Sequence, residues 1–149
     1  MRAQWCWVAA AALVAQGALA AERGTPAEAR AMLAKAVAHY AAAGRQQALS
    51  DFNTRKAGFF DRDLYVVCLG PDHTIAAHGA FPNFVGQNVD VLKDADGKPL
   101  GKALWDAAGQ AEGVRYRVMN PVSGKTEPKV SYAQKAGSDV CLVGAFNAP

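Results

Sequence analysis

Beyond its first 20 residues the sequence has no apolar run approaching the roughly 20 residues that cross a bilayer core, which excludes an internal membrane span. It also lacks runs of like charge. Its 16 basic and 13 acidic residues are interspersed for a net charge of +3, which argues against a dedicated nucleic-acid surface. There is no Gly-x-Ser-x-Gly elbow and no phosphate-cradling glycine loop, so no cofactor is expected. His39, His73 and His78 do not stand at metal-ligand spacing. Asp94, Asp96 and Gly97 look like the opening of a calcium loop, but Trp105 stands where the closing glutamate belongs. A turn is expected there, and no metal. With three cysteines and no Cys-x-x-Cys, a redox-active pair has no support. No internal repeat is present.

What is present begins with an export pattern. Arg2 precedes an apolar run from Trp5 to Ala20 that closes on small residues, Ala18 and Ala20, in an A-x-A arrangement. Residues 1–20 are therefore expected to be a cleaved secretory signal peptide, leaving residues 21–149 as one domain with a sufficient core. The mature chain is expected to be periplasmic or secreted, with no stable membrane insertion after cleavage. Cys6 leaves with the signal. Cys68 and Cys141 remain as an even pair in an oxidising compartment, each inside an apolar run that reads as a strand. Two readings stay open: a disulfide stabilising the fold by about 2–4 kcal/mol, or two free buried thiols.

The first mature element is a helix. Thr25 caps it, Pro26 takes the first helical position and Glu28 completes a capping box. Ala29, Met32, Leu33, Ala36, Val37 and Tyr40 then form one apolar stripe, and Gly44 ends it. A shorter helix over Arg45 to Phe52 buries Ala48, Leu49 and Phe52. From Asp63 the period changes. Leu64 to Leu69 and Thr74 to His78 read as strands of a hairpin around Gly70, Pro71 and Asp72. A loop-rich crossover follows, then a short helix from Leu100 to Ala108 with Leu100, Ala103, Leu104 and Ala107 inward. Three strands close the chain: Val114 to Met119, Val130 to Gln134 and Asp139 to Phe146. This order gives an α+β domain with a mostly antiparallel sheet.

Several short pieces carry a resemblance. They are Phe60, Asp61, Asp63, Leu64 and Tyr65 at the entry to the first strand, then Ala77, His78 and Gly79 at the end of the second. Gly86, Asn88, Asp94 and Gly97 follow in the crossover, then Gly113, Tyr116, Asn120 and Pro121, and last Pro128, Lys129, Ser131 and Tyr132. In order and spacing they resemble the single Cache domain of type 2, an extracytoplasmic sensor domain, from Pro26 to Phe146. The resemblance implies a PAS-like, profilin-like fold: a five-stranded sheet with the N-terminal helix on one face and ligand on the other, beneath the crossover. It also implies binding of a small organic acid or amino acid. Such domains usually sit on membrane receptors and kinases, whereas this sequence stops at Pro149, so a free-standing binding protein that reports to such a receptor or kinase is expected. His73 stands where the family usually has glycine, and is read as a solvated turn residue.

The expected ligand-binding residues are Tyr65, His78, Tyr116, Lys129 and Tyr132. They suit a carboxylate, because Lys129 offers a compact charge, the tyrosines offer hydroxyls and His78 can donate from either nitrogen. Strand alternation sets a conflict: Lys129 and Ser131 face one side, Val130 and Tyr132 the other. Either a bulge near Pro128 shifts the register or one of the two sits at the edge. Arg115 and Arg117 are either a second anion anchor or the wet face of their strand. Two alternatives to a ligand-binding module are a docking protein with a vestigial pocket and a small enzyme using Cys68 or Cys141 with His78 as base. Apolar strand cores disfavour a thiolate, so no catalytic residue is assigned.

Overall fold

The computed structural model describes residues 23–146; the expected signal peptide and Cys6 lie outside them. Helix α1 spans Pro26–Ala43 behind the expected capping box, with the Glu28 N–H donating to Thr25 Oγ1 at 3.2 Å and the Thr25 N–H to Glu28 Oε2 at 2.7 Å. Its buried face is Ala29, Met32, Leu33, Ala36 and Tyr40, with Val37 half-buried. Gly44, at φ +85°, breaks the helix where a side chain would be strained, and α2 (Arg45–Asn53) starts beyond it. Both helices lie on one face of the sheet. Asp139 ties them to it, accepting from Tyr40 Oη and Arg45 Nε, each at 2.9 Å.

The strands are β1 (Phe60–Asp61), β2 (Leu64–Leu69), β3 (Ile75–His78), β4 (Val114–Met119), β5 (Thr126–Ala136) and β6 (Asp139–Ala145). All named pairings are antiparallel, in the order β1-β2-β6-β5-β4, with β3 also on β2. β1 pairs the start of β2 and β3 its end, so the two share one edge. The expected five strands are thus joined by a sixth, β1, whose two residues are too short to show a period. The hairpin turn carries His73, exposed at φ +61°, in a conformation that explains why glycine is common there.

β5 starts at Thr126, four residues before its expected beginning. Pro128 lies inside it, opposite Arg117, where β5 runs past the end of β6; that pairing begins at Val130↔Ala145. A residue without an N–H is tolerated there because the strand has a neighbour on one side only. The short helix α3 is confined to Gly101–Asp106, and Ala103, expected inward, is exposed.

β2 is buried along its whole length, because each sheet face is covered. Leu64, Val66 and Cys68 face the helices, while Tyr65, Val67 and Leu69 face the crossover and α3. Cys68 stands opposite Cys141 in the β2–β6 register, Cα atoms 4.0 Å apart, and the two form a disulfide across 73 positions. A bridged sulfur is no thiolate, so the cysteine-nucleophile alternative loses its nucleophile.

Candidate functional site

The crossover does not pack flush on the sheet. Between them lies a cavity of about 340 Å³. Its floor is the sheet face carrying Tyr65, Val67, His78, Tyr116, Lys129 and Leu142; its roof comes from Phe81, Phe84, Leu92, Leu100 and Leu104. Val91 and Met119 line it and are 38% and 48% exposed, so the cavity opens to solvent between the 3-10 turn at Val89–Val91 and the end of β4. A water occupies roughly 30 Å³ of liquid, so there is room for a small organic molecule.

Of the five expected residues, Tyr65, His78, Tyr116 and Lys129 are brought together here. Tyr132 is not. The β4–β5 register runs without a shift from Val114↔Ser131 to Met119↔Thr126, so no bulge occurs near Pro128 and the alternation holds. Tyr132 therefore points to the helix side, buried beneath α1, with the Arg30 guanidinium 3.8 Å from its ring centroid. Arg115 and Arg117, of the same parity on β4 as exposed Met119, are exposed as the wet face.

Lys129 is 3% exposed. Its Nζ donates to Tyr65 Oη at 2.8 Å and lies 4.2 Å and 4.6 Å from the ring centroids of Tyr65 and Phe146. These contacts favour the ammonium, but none supplies a negative charge, and no residue lining the cavity, among the described ones, is acidic. Asp63, the acid whose field reaches Lys129, already accepts from the Gly24 N–H at 2.7 Å and from Asn120 Nδ2 at 3.1 Å. Burial consequently lowers the Lys129 pKa from the ordinary lysine range, against the fields of Tyr116 and Asp63.

Room for this side chain comes from Gly144. A Cβ at that position would collide with Lys129 Cε and Ser131 Oγ. Gly144 pairs with Ser131 across β5 and β6, and Ser131 Oγ in turn lies 2.7 Å from Tyr116 Oη. Burial raises the pKa of Tyr116, with the Lys129 charge and Ser131 opposing it, and raises that of Tyr65. Both phenols therefore stay protonated as donors.

His78 ends β3 with its ring at the cavity wall, 5.5 Å from the Tyr65 ring in a stacked arrangement and 5.4 Å from Phe84. The Phe81 N–H donates to His78 Nδ1 at 3.0 Å, which leaves the proton of the neutral ring on Nε2. The expectation that either nitrogen could donate narrows to Nε2. Burial, with the Lys129 charge adding to it, depresses the His78 pKa to about 3, so the ring is neutral at ordinary pH. Asn53 Oδ1 accepts from the His78 backbone N–H at 2.9 Å, and Arg55 donates to the carbonyls of Gly79 and Ala80 at 2.7 Å and 3.0 Å. The end of α2 thus fixes the strand end that presents the ring.

Sequence reasoning missed Phe81, Phe84 and Gly144. The signal available for the first two was a pair of aromatics bracketing Pro82 and Asn83 in the loop-rich crossover. The aspartate-rich segment is a turn as expected: Asp94 Oδ1 accepts from the N–H groups of Asp96 and Lys98 at 2.9 Å and 2.8 Å, with Gly97 at φ +81°. Among the described residues no three potential metal ligands cluster, and no helix is long and apolar enough to cross a membrane. One desolvated cation, protonated phenols and a neutral imidazole N–H set in apolar walls can bind an anion; they hold no general base of the carboxylate kind.

The family model of the single Cache domain 2 matches residues 11–144. No curated protein matches the chain. Among solved structures, the chain is similar to a methyl-accepting chemotaxis protein from Vibrio parahaemolyticus, at 20% identity over 80% of this chain and 86% of that one, with a TM-score of 0.68. It is similar to a periplasmic sensor domain of a chemotaxis protein, at 21% identity over 80% and 88% of the two chains, with a TM-score of 0.60. A third likeness is to a Cache chemosensory domain described for the structural basis of its carboxylic acid recognition, at 22% identity over 80% and 86%, with a TM-score of 0.57. At such identities these likenesses speak for the fold.

Proposed function

Because the chain belongs to the single Cache domain 2 family, we propose that it is an extracytoplasmic sensor module whose cavity binds a small monocarboxylate without covalent change and passes the bound state to a partner protein. The observation that carries this reading is Lys129: a cation buried at the floor of an open cavity with no acidic side chain among the described lining residues. Leaving a charge desolvated and unpaired is costly, and a carboxylate entering the cavity offsets that cost. The Cache domain with described carboxylic acid recognition adds a precedent of the same fold.

The proposed binding places one carboxylate oxygen at Lys129 Nζ, with Tyr65 Oη, Tyr116 Oη and His78 Nε2 as neutral donors around it. A short apolar tail would lie against Val67, Leu104 and Leu142. An amino acid fits this chemistry less well than an organic acid, because its ammonium would meet Lys129 and find no carboxylate among the described lining residues.

The test is a thermal-shift series with acetate, propionate and the matching alkylamines on the parent protein and on Lys129→Met. Ligand at about 100 times Kd adds roughly 2.7 kcal/mol of stability, a rise in Tm on the order of 10 °C for a domain of this size. The acids are expected to give that rise with the parent and none with Lys129→Met, which should remain folded because the unbranched thioether fills the same apolar path. Absence of any rise with the parent, or an equal rise with the variant, counts against the reading.

A further inference from the structure

A buried amine with no carboxylate partner has a second chemistry available, independent of anion binding. Lys129 Nζ lies at the floor of a cavity that opens between Val91 and Met119, and the phenol of Tyr65 sits 2.8 Å away. In the fraction of molecules whose Lys129 is unprotonated, its amine stands beside a proton donor in an apolar pocket, the arrangement that condenses with carbonyl compounds. We propose that this cavity also captures small apolar aldehydes covalently and reversibly, as an imine on Lys129.

The step balances with no oxidant or reductant. The Nζ lone pair forms the new C–N bond while the carbonyl π pair moves to oxygen, which takes a proton from Tyr65 Oη. The amine nitrogen loses a proton and returns it to the phenolate, giving a neutral carbinolamine. That hydroxyl then leaves as water, taking a proton from Tyr65 as the nitrogen lone pair forms the C=N bond; the second proton lost by nitrogen restores the phenol. One aldehyde and one amine give one imine and one water.

Two features favour this lysine over the others. Burial lowers its pKa, which raises the unprotonated fraction at a given pH. The apolar walls limit the water that would reverse the condensation. Lys98, Lys102 and Lys125 are exposed and lie outside the cavity. The pocket's chemistry selects the carbonyl class as well. Once Lys129 is consumed, the cation left in the lining is the exposed Lys93, and the buried walls offered to a substituent are apolar, Val67, Leu104 and Leu142, which suit the aliphatic tail of an aldehyde.

The experiment is reductive trapping of the native protein with propanal and cyanoborohydride near neutral pH, read by peptide mass mapping against time. Lys129 is expected to acquire the propyl group measurably faster than Lys98, Lys102 and Lys125, whose amines lie outside the cavity. Denaturant should abolish the preference, and acetate should slow labelling at Lys129 alone. Labelling of Lys129 no faster than the exposed lysines, or its absence, overturns the proposal. Failure of acetate to protect, where acetate raises the Tm of the parent, overturns a shared cavity, and a Tyr65→Phe chain that labels as fast as the parent overturns Tyr65 as the donor. The trapping readout is separate from the thermal shift, so either reading can fail alone.

Discussion

Gly144 shows how little side chain the site tolerates beneath its lysine. Adding a methyl there sets carbon against Lys129 Cε and Ser131 Oγ, and Ser131 is fully buried. Gly144→Ala is expected to cost about 1–3 kcal/mol from overpacking. It should also weaken acid binding, because the lysine stem is displaced from its path. Denaturant titration and calorimetric binding, run together, check both; a variant with full affinity would show that the close approach is dispensable. His78 makes a prediction in pH. Its folded pKa of about 3 lies below the ordinary unfolded value near 6.5, so as pH falls the unfolded chain takes up a proton that the folded one refuses. The contribution is complete above about pH 6.5 and is lost at up to ~1.4 kcal/mol per pH unit between about 6.5 and 3. Urea unfolding at pH 7.5, 6 and 5 should show this slope in the parent and a shallower one in His78→Gln. Equal slopes would refute the assignment. Among residues, Tyr65, His78, Tyr116 and Lys129 were named from the family resemblance, which equally named Tyr132, a residue of the helix layer. Gly144 was not legible, because the need for an absent side chain appears only when β6 lies beside β5.

Helix α1 and the β4–β5 pair illustrate different degrees of legibility. The helix was readable from Thr25 to Gly44 because its signals are local: a cap, a proline at the first position, a stripe of period 3.6 and a breaker. Thr25→Ala removes the hydroxyl acceptor for the Glu28 N–H and is expected to cost about 1 kcal/mol, measured as a drop in Tm. Because α1 lies on the sheet face opposite the cavity, the affinity for propionate should not change; a change would reveal coupling between the layers. On β5, period two told that Lys129 and Tyr132 must point to opposite sides. It did not tell which side would meet the helices. Both residues sit in apolar company, Tyr132 under α1 and Lys129 above Gly144, so the flanking sequence favours neither assignment. The unbroken β4–β5 register settles that conflict by excluding a bulge. β1, of two residues, has no period to detect.

For the molecule as a whole, the Cys68–Cys141 bond joins neighbouring strands at the centre of the sheet, between layers that cover both faces. Reduction relaxes the unfolded chain and is expected to lower stability by about 2–4 kcal/mol. The bond lies on the helix side of the sheet, so acid binding at ordinary temperature should survive reduction while the denaturation midpoint falls. Comparing unfolding curves and binding isotherms with and without reductant tests both halves; loss of binding with the fold retained would contradict the separation of the two faces.

The sequence by itself determined the α+β order of elements, the capped first helix, the hairpin turn and the two-fold alternation along β5. These follow from local propensities and periods, which act over a few neighbouring residues. Only the tertiary structure decided that Cys68 faces Cys141, that Tyr132 belongs to the helix layer, that Phe81 and Phe84 form the roof and that Gly144 makes way for Lys129. Each of those depends on contacts between segments far apart in the chain, whose register and facing are chosen by packing of the whole core and not by any stretch within it.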